Sequence, residues 1–315
     1  MQENVDCGRY WKNFMEQFLY QIGLDDDERL DKWVSNALPD LSRSYIQKCI
    51  KENHVLVNQK PQKASYRLKV DDEILFSIPE AVEPSIEAED IPLTILYEDE
   101  EVLVVNKPKG MVVHPAPGHY SGTLVNAVLY HCRGCLSGIN GVMRPGIVHR
   151  IDQDTTGSLI VCKNDHAHRL IAAQLKEHTI TRRYRAIVHG VIGQDTGVID
   201  APIGRDPKER KRMAVNEQNG KPAVTHYTVL QRFQEYTYIE CHLETGRTHQ
   251  IRVHMSSIGH PLLGDTVYCH RKEAFHLEGQ TLHAMTIGFA HPVDGHYVEV
   301  TAPLPAYFEH LLHIL

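Results

Sequence analysis

The pattern of hydrophobic and polar positions predicts a small module near the N-terminus of the chain. Apolar residues recur at helical spacing in two short segments, and alternating strand patterns follow them. The predicted elements are helices over 28–38 and 43–51, with Asp26 and Ser42 as N-caps, and strands over 55–58 and 73–78. We therefore predict a small α/β domain over residues 18–80, preceded by a poorly specified tail over residues 1–17.

A longer domain follows a proline-containing stretch. Residues 79–92 contain three prolines and no periodicity, which predicts a linker that we place at residues 81–92. In residues 93–315, strand patterns occur at 101–108, 184–190, 222–233, 237–245 and 296–303, and helical patterns at 165–178 and 249–259. Hairpins joined by occasional helices are typical of an α+β fold on a mixed, largely antiparallel sheet.

The charge of the chain is unevenly distributed. The net charge of −7 argues weakly against a nucleic-acid partner. Between residues 43 and 69, however, seven residues are basic and one is acidic, and further basic runs occupy residues 181–185 and 205–212. A protein that is acidic in total can still present basic faces to phosphates, so an RNA partner stays open.

Composition and motifs indicate the cellular compartment and the cofactors that we expect for this chain. The seven cysteines are scattered, no apolar window approaches the ~20 residues of a membrane span, and the N-terminus lacks an apolar export signal. We therefore expect a cytoplasmic protein without a membrane partner. Cys132 and Cys135 favour a loop with two thiols over half of a zinc site, and the 21 histidines show no metal-ligand spacing. Without a glycine-rich nucleotide motif either, we expect no metal and no cofactor.

The segment HRIDQDTTG, residues 149–157, combines an imidazole, a guanidinium and two carboxylates between two apolar runs. This places ionisable groups at the mouth of a predicted core strand. In isolation, Asp152 and Asp154 would best be interpreted as solvated turn residues. The surrounding motifs change that interpretation.

The N-terminal module resembles the S4 RNA-binding domain. The matching residues are Arg29-Leu30-Asp31, Ser42-Arg43, the basic second helix and the Val-x-Val-Asn turn at 55–58. The resemblance implies RNA binding, and we assign it to Arg43, Lys48 and Lys51. Asn53, Gln59 and Asp71 stand where the family usually carries glycine; asparagine and aspartate tolerate the left-handed backbone of such turns.

The second domain is similar to the RluA-type family of RNA pseudouridine synthases. Five motifs carry this similarity, in order: NKPKGMVVHP (106–115), GTLVNAVLYH (122–131), HRIDQDTTG (149–157), YRAIV (184–188) and ETGRTHQIRVH (244–254). The resemblance implies the pseudouridine synthase fold and an isomerase that needs neither cofactor nor metal. The order of S4 module and catalytic domain implies large-subunit ribosomal RNA, free or in an assembling subunit, as the partner of a monomeric enzyme.

The resemblance also assigns the site. Asp152 is the expected catalytic aspartate, either as nucleophile or as base. Tyr184 is expected to pack on a flipped-out uridine, and Arg247 to supply the countercharge of Asp152. Arg150 is expected to fill the space that the base leaves and to hold phosphate.

The remaining residues of these motifs take supporting roles. We assign His149 and Thr156 to substrate or RNA binding, and Asp154 to the turn. His249, Arg252 and His254 share a predicted helix, and a structural and an RNA-contacting role stay equally open for them. Lys107 is expected to orient a loop. A non-catalytic RNA-binding assembly factor and a base-excising glycosylase are the alternative functions.

Overall fold

The structure, a computed structural model, describes residues 16–23, 28–38, 43–78, 86–115, 120–133, 135–139, 145–209, 212–271 and 275–315. The chain divides into two units, Met1–Glu83 and Pro84–Leu315. Of the predicted linker, residues 81–85 lie outside the described part. Residues 86–92 belong to the second unit and contact its segment 122–126: Asn126 donates to the carbonyl of Glu87 (2.8 Å), and the Gly122 N–H donates to the Glu89 carboxylate.

The first unit is an antiparallel sheet covered by two helices. Its elements are β1 (Glu16–Gln21), α1 (Leu30–Ala37), α2 (Arg43–Lys51), β2 (Val55–Val57), β3 (Lys60–Pro61) and β4 (Glu73–Ile78). The strands lie in the order β1-β4-β2-β3, and β1 pairs with β4 along its whole length. β1 begins two residues inside the predicted tail. The proposed N-caps Asp26 and Ser42 lie outside the described residues.

The second unit is built on a nine-stranded mixed sheet. Its elements are β5 (Thr94–Glu98), β6 (Val102–Lys107), α3 (Leu124–Cys132), β7 (Thr156–Cys162), α4 (Asp165–Lys176), β8 (Thr181–His189), β9 (Thr196–Asp200), β10 (Ile203–Arg205), β11 (Met213–Val215), β12 (Val224–Arg232), β13 (Tyr236–Leu243), α5 (Gln250–Ser257), β14 (Leu282–Ala290), β15 (Tyr297–Thr301) and α6 (Ala306–Ile314).

The sheet runs β5-β6-β7-β14-β8-β13-β12-β9, with β15 on β14, and β10 and β11 form a separate hairpin. β7 and β14 pair in parallel over two residue pairs, and the other ladders of this sheet, among the described residues, are antiparallel. The α+β prediction with a mixed, largely antiparallel sheet is confirmed.

The central strands are buried on both faces. In β7, Leu159 and Val161 join one hydrophobic cluster, while Ile160 and Cys162 join another. Burial on two faces explains why the sequence shows a continuous apolar run rather than alternation. The rigid strand β7 therefore follows directly after the polar HRIDQDT segment and fixes its position.

Candidate active site

A cleft of about 740 Å³ opens beside the segment that leads into β7. Asp152 is the acidic residue among its lining side chains, and 18% of the side chain is exposed. The basic lining residues are Arg150, Lys176, Arg182, Arg247 and Arg252. A single carboxylate in a cleft rich in guanidinium groups suits a ligand that carries phosphates.

Backbone contacts hold the Asp152 loop on both sides. The Thr155 N–H donates to the carbonyl of Asp152 (3.1 Å) and closes a turn. Gly157 follows at a φ of +111°, and a Cβ there would lie 2.3 Å from the carbonyl oxygen of Ala284 on β14. Only glycine allows this close approach of β7 and β14.

Lys107 clamps the same loop from the other side. Its buried ammonium group donates to the carbonyls of Pro108, Met111 and Gln153 at 2.7–2.8 Å. Burial lowers the pKa of Lys107 to about 7, while the charges of Asp154 and Asp152 act in the opposite direction. The three carbonyl acceptors favour the ammonium form, so Lys107 orients the loop, in agreement with the prediction.

The positive partner of Asp152 is Arg252, which corrects the prediction of Arg247. Arg252 Nη1 donates to Asp152 Oδ2 at 2.9 Å. The same guanidinium forks onto Asp265, with Nε to Oδ2 at 2.7 Å and Nη2 to Oδ1 at 2.9 Å. Burial lowers the pKa of Arg252, but Asp265 and Asp152 outweigh burial and raise it above its ordinary value. Arg252 therefore remains charged and holds Asp152 from the inside of the fold.

Arg247 lines the cleft without pairing with Asp152. Its Nε donates to the carbonyl of Pro222 at 2.9 Å, and its backbone N–H donates to Oε1 of the buried Gln250. Gln250 also accepts from Thr245 and donates to the Val224 carbonyl, so it organises the loop before α5. That loop presents Arg247 toward the partly exposed side of the cleft, where it is suited to contact a substrate.

His249 is the second residue that approaches Asp152. It has a left-handed φ of +57° immediately before α5, and its Nε2 lies 3.7 Å from Asp152 Oδ1. Arg252 follows one helical turn later, so both side chains are aimed at the same carboxylate. Burial lowers the pKa of His249 against the opposing charge of Asp152.

Tyr184 lies on β8 in the same cleft, as predicted from its motif. The side chain is 9% exposed, and burial raises its pKa, so the hydroxyl stays protonated. Its neighbour Arg182 is buried and donates to the carbonyl of Glu244 at 2.9 Å. Arg182 also packs closely against Gly246, since a Cβ at that position would lie 2.6 Å from Arg182 Nη1. Tyr184 thus offers an apolar ring surface near Asp152.

Thr156 and His149, both predicted to contact substrate or RNA, have hydrogen-bond partners within the fold, and His149 also lines the cleft. Thr156 is buried, and its hydroxyl is bonded to Nδ1 of His283 at 2.7 Å. Nε2 of His149 accepts the N–H of Ile160 on β7 at 3.0 Å, and burial together with the charge of Arg182 lowers its pKa to about 3. His149 is therefore neutral and supports β7. Arg150, by contrast, is exposed at the cleft and is available to RNA.

The basic residues of α2 lie on its exposed side. Arg43, Lys48 and Lys51 are exposed, whereas Ile46, Cys49 and Ile50 face the core. Arg43 also reaches the buried Asp31 on α1 at 3.1 Å. Lys48 contacts Glu52 only at 3.9 Å. The exposed face of α2 is thus positively charged and suited to phosphates.

Two further features bear on the predicted classes. His291, Asp294 and His296 lie close enough together to hold a metal ion, but Asp294 and His296 already hydrogen-bond each other and His291 bonds Asp99. The absence of a metal stays a prediction. Among the described residues, no helix has the length and apolarity needed to cross a membrane.

Sequence reasoning missed Asp265 and left Arg252 undecided. The i, i+3 spacing of His249 and Arg252 on the predicted helix was the available signal, since it puts an imidazole and a guanidinium on one face. Asp265 follows the apolar pair Leu262-Leu263 and carried no sequence signal, because its partner lies on another element.

The chain is similar to known proteins over both of its units. A family model for RNA pseudouridylate synthase matches residues 101–257, and the S4 domain model matches residues 28–74. An uncharacterized RNA pseudouridine synthase of Bacillus subtilis, YlyB, is 55% identical over 278 residues, covering 88% of this chain and 91% of the relative.

Two other similarities extend the comparison. Ribosomal large subunit pseudouridine synthase D of Zymomonas mobilis is 48% identical, covering 91% of this chain and 93% of the relative. The solved structure of human RNA pseudouridylate synthase domain containing 1 aligns with a TM-score of 0.55 at 28% identity, covering 69% of this chain and 86% of that one.

Proposed function

Since the chain belongs to the RNA pseudouridine synthase family and is an isomerase that converts uridine in RNA to pseudouridine, we propose that Asp152 is its catalytic carboxylate and large-subunit ribosomal RNA its substrate. The observation that carries the first part is the environment of Asp152. It is the acidic residue lining a basic cleft, and Arg252 and His249 approach its two oxygens.

The chemistry needs a carboxylate that stays ionised at the reacting nucleoside. The reaction breaks the N1–C1′ bond, turns the uracil and joins C1′ to C5. C5 loses its proton and N1 gains one, so the composition of the substrate is unchanged. Asp152 can attack as a nucleophile or remove a proton as a base. Arg252 binds one oxygen of this carboxylate in either role.

The cleft fits a nucleotide that has left its stack. Its volume lies within the range of small-ligand sites. Extruding a base costs roughly a few kcal/mol, which stacking on an aromatic side chain offsets in part. Tyr184 provides that surface. Arg150 and Arg247, at the accessible side of the cleft, are placed to hold the phosphates on either side of the nucleotide.

Three features support ribosomal RNA of the large subunit as the substrate, and the last two belong to the same domain. A relative that matches most of this chain is named a ribosomal large subunit pseudouridine synthase D. An S4 domain precedes the catalytic unit. The exposed basic face of α2 adds a second region suited to phosphates. The substrate is either this RNA in its free form or the same RNA within an assembling subunit.

The test uses ribosomal RNA from cells that lack this protein. Wild-type protein should convert one or more uridines of the large-subunit RNA, mapped by carbodiimide treatment and primer extension. Asp152→Asn, which keeps the shape but removes the charge, should lower the rate by at least ~10³-fold. Conversion by Asp152→Asn at the wild-type rate would refute the role of Asp152, and conversion only in other RNA would refute the substrate.

The same reaction separates the alternative functions. A glycosylase would release free uracil, whereas an isomerase releases none. A non-catalytic assembly factor would show no conversion, and Asp152→Asn would restore every defect of a deletion strain.

A further inference from the structure

Tyr268 lies beneath the two residues that contact Asp152. It is buried in the segment between α5 and β14. Its ring centroid is 5.1 Å from Cζ of Arg252 and 5.7 Å from the His249 ring, which it meets edge-on. A guanidinium over an aromatic face is attracted by the ring and is restricted in orientation. Tyr268 therefore packs against both residues that approach the carboxylate, Arg252 and His249.

The Tyr268 hydroxyl lies within hydrogen-bond distance of the His249 ring. The oxygen accepts the backbone N–H of Met213 at 3.0 Å and lies 2.9 Å from Nδ1 of His249. With the Met213 bond occupying an acceptor position, the hydroxyl hydrogen is free to point at Nδ1, which then acts as acceptor. In a neutral imidazole the proton is then on Nε2, the atom 3.7 Å from Asp152 Oδ1.

The backbone of the same segment secures Arg252. The N–H groups of Val267 and Tyr268 both donate to Oδ1 of Asp265, at 2.9 and 3.0 Å. The fully buried Asp265 in turn binds Arg252 through two hydrogen bonds. Residues 265–268 thus contact both groups that approach Asp152. The Tyr268 hydroxyl contacts His249, and the Asp265 carboxylate binds Arg252.

We propose that Tyr268 is a positioning residue of the isomerisation: its hydroxyl fixes the His249 tautomer that presents an N–H to Asp152, and its ring supports the guanidinium of Arg252. This inference rests on the proposed catalytic role of Asp152. Tyr268 does not itself line the cleft. It acts on the carboxylate through His249 and Arg252, in the way that outer partners orient the groups of an active site.

Tyr268 also connects this site to a basic hairpin. Met213 begins β11, and Arg212 just before it places its Cζ 5.2 Å from the Tyr268 ring. The hairpin connection carries the basic run at 205–212. Tyr268 therefore contacts the start of β11 as well as the two residues that approach Asp152.

The activity test compares Tyr268→Phe with Tyr238→Phe. Both changes remove only a hydroxyl, and Tyr238 also lies below an arginine, Arg185, but outside the cleft. Tyr268→Phe should lower kcat about ten-fold, the size expected for one lost hydrogen bond, and leave KM for RNA within about two-fold. Tyr238→Phe should change neither. An unchanged kcat, or a higher KM with normal kcat, would overturn the proposal.

A second measurement is independent of catalysis. Nitrogen-15 NMR of histidine-labelled protein, with the His249 signals identified by their loss in His249→Gln, reports which ring nitrogen carries the proton. Wild-type His249 should show the Nε2–H form, and Tyr268→Phe should lose this preference. An Nδ1–H form in the wild type would refute the inference. If Asp152→Asn were active while the tautomer behaves as expected, the proposed function would fail and the contact would stand.

Discussion

At the scale of residues, the site depends on one guanidinium shared between two carboxylates. Arg252 binds Asp152, which faces the cleft, and Asp265, which is fully buried. A planar fork with several donors can serve both acids at once, and a lysine ammonium cannot reproduce this geometry. Asp265 fixes the guanidinium, so that Arg252 meets Asp152 in a set orientation. Arg247, five residues earlier, binds a backbone carbonyl instead.

Exchanging each arginine for lysine distinguishes the two assignments. Arg252→Lys keeps the charge but loses the fork, and we expect kcat to fall ~10–100-fold, since a hydrogen bond to a charged group contributes about 1.5–3 kcal/mol. Arg247→Lys should mainly raise KM for RNA. Steady-state kinetics on a short RNA substrate measures both, with thermal melting as the control for folding. A larger kcat loss in Arg247→Lys would favour the pairing predicted from the sequence.

At the scale of elements, buried polar contacts fix the relative position of helices, which hydrophobic burial alone does not specify because it is not directional. In the first unit, the fully buried Asp31 of α1 accepts hydrogen bonds from Arg43 and Gln47 of α2 and from Arg29. A buried carboxylate with several donors fixes the relative position of the two helices. Removing one side would leave an unpaired polar group in the core.

The Asp31 contacts predict how the first unit responds to acid. Burial raises the pKa of Asp31, but the bonds from Arg29, Gln47 and Arg43 outweigh burial and lower it to about 2. Because this value lies below the 3.8 of a free aspartate, the contribution to stability is complete above pH 4. It is lost as the pH falls from about 4 to 2. The contribution is about 2 kcal/mol.

Tryptophan fluorescence can follow this loss in the full chain, because both tryptophans, Trp11 and Trp33, precede residue 84. Urea unfolding of the wild type should show a falling free energy of unfolding between pH 4 and pH 2. Asp31→Asn should be less stable at pH 7 and should lose less stability in this window than the wild type, the remaining loss coming from other carboxylates such as Asp72, whose pKa is also lowered. Equal pH dependence in the two proteins would contradict the assignment.

At the scale of the whole molecule, two units each offer a basic surface. The catalytic unit has the cleft with its five basic lining residues. The first unit has the exposed face of α2 with Arg43, Lys48 and Lys51. Each unit has its own hydrophobic core, so each surface has its own rigid support. A net charge of −7 for the chain conceals both surfaces.

The contribution of the first unit to RNA binding can be measured from salt dependence. A chain of residues 84–315 should bind ribosomal RNA more weakly than the full chain. The slope of log K against log salt should become shallower by about 2–3, because each lost phosphate contact removes ~0.7–0.9. The triple variant Arg43→Gln, Lys48→Gln and Lys51→Gln in the full chain is the matched control. An unchanged slope in both would exclude α2 as a major RNA contact.

The sequence by itself determined the features that are local. Helix α2, both strands of the β12–β13 hairpin and the helical segment around α5 follow from periodicity, since a side chain's face depends on nearby residues. The motif order gave the family and singled out Asp152. The strand β14 was missed, although it lies between β7 and β8 at the centre of the sheet.

Only the tertiary structure decided which charges meet. Asp152 pairs with Arg252, 100 residues away, and not with Arg247, because α5 turns the former inward and the loop before it turns the latter to Pro222. The hydroxyl of Thr156 is hydrogen-bonded to His283, which lies on a strand far along the chain. Asp265 and Tyr268 contact the site only through residues of another element, Asp265 through Arg252 and Tyr268 through His249 and Arg252. The physical reason is that periodicity records burial, whereas the partner of a charge depends on how distant segments cross in three dimensions.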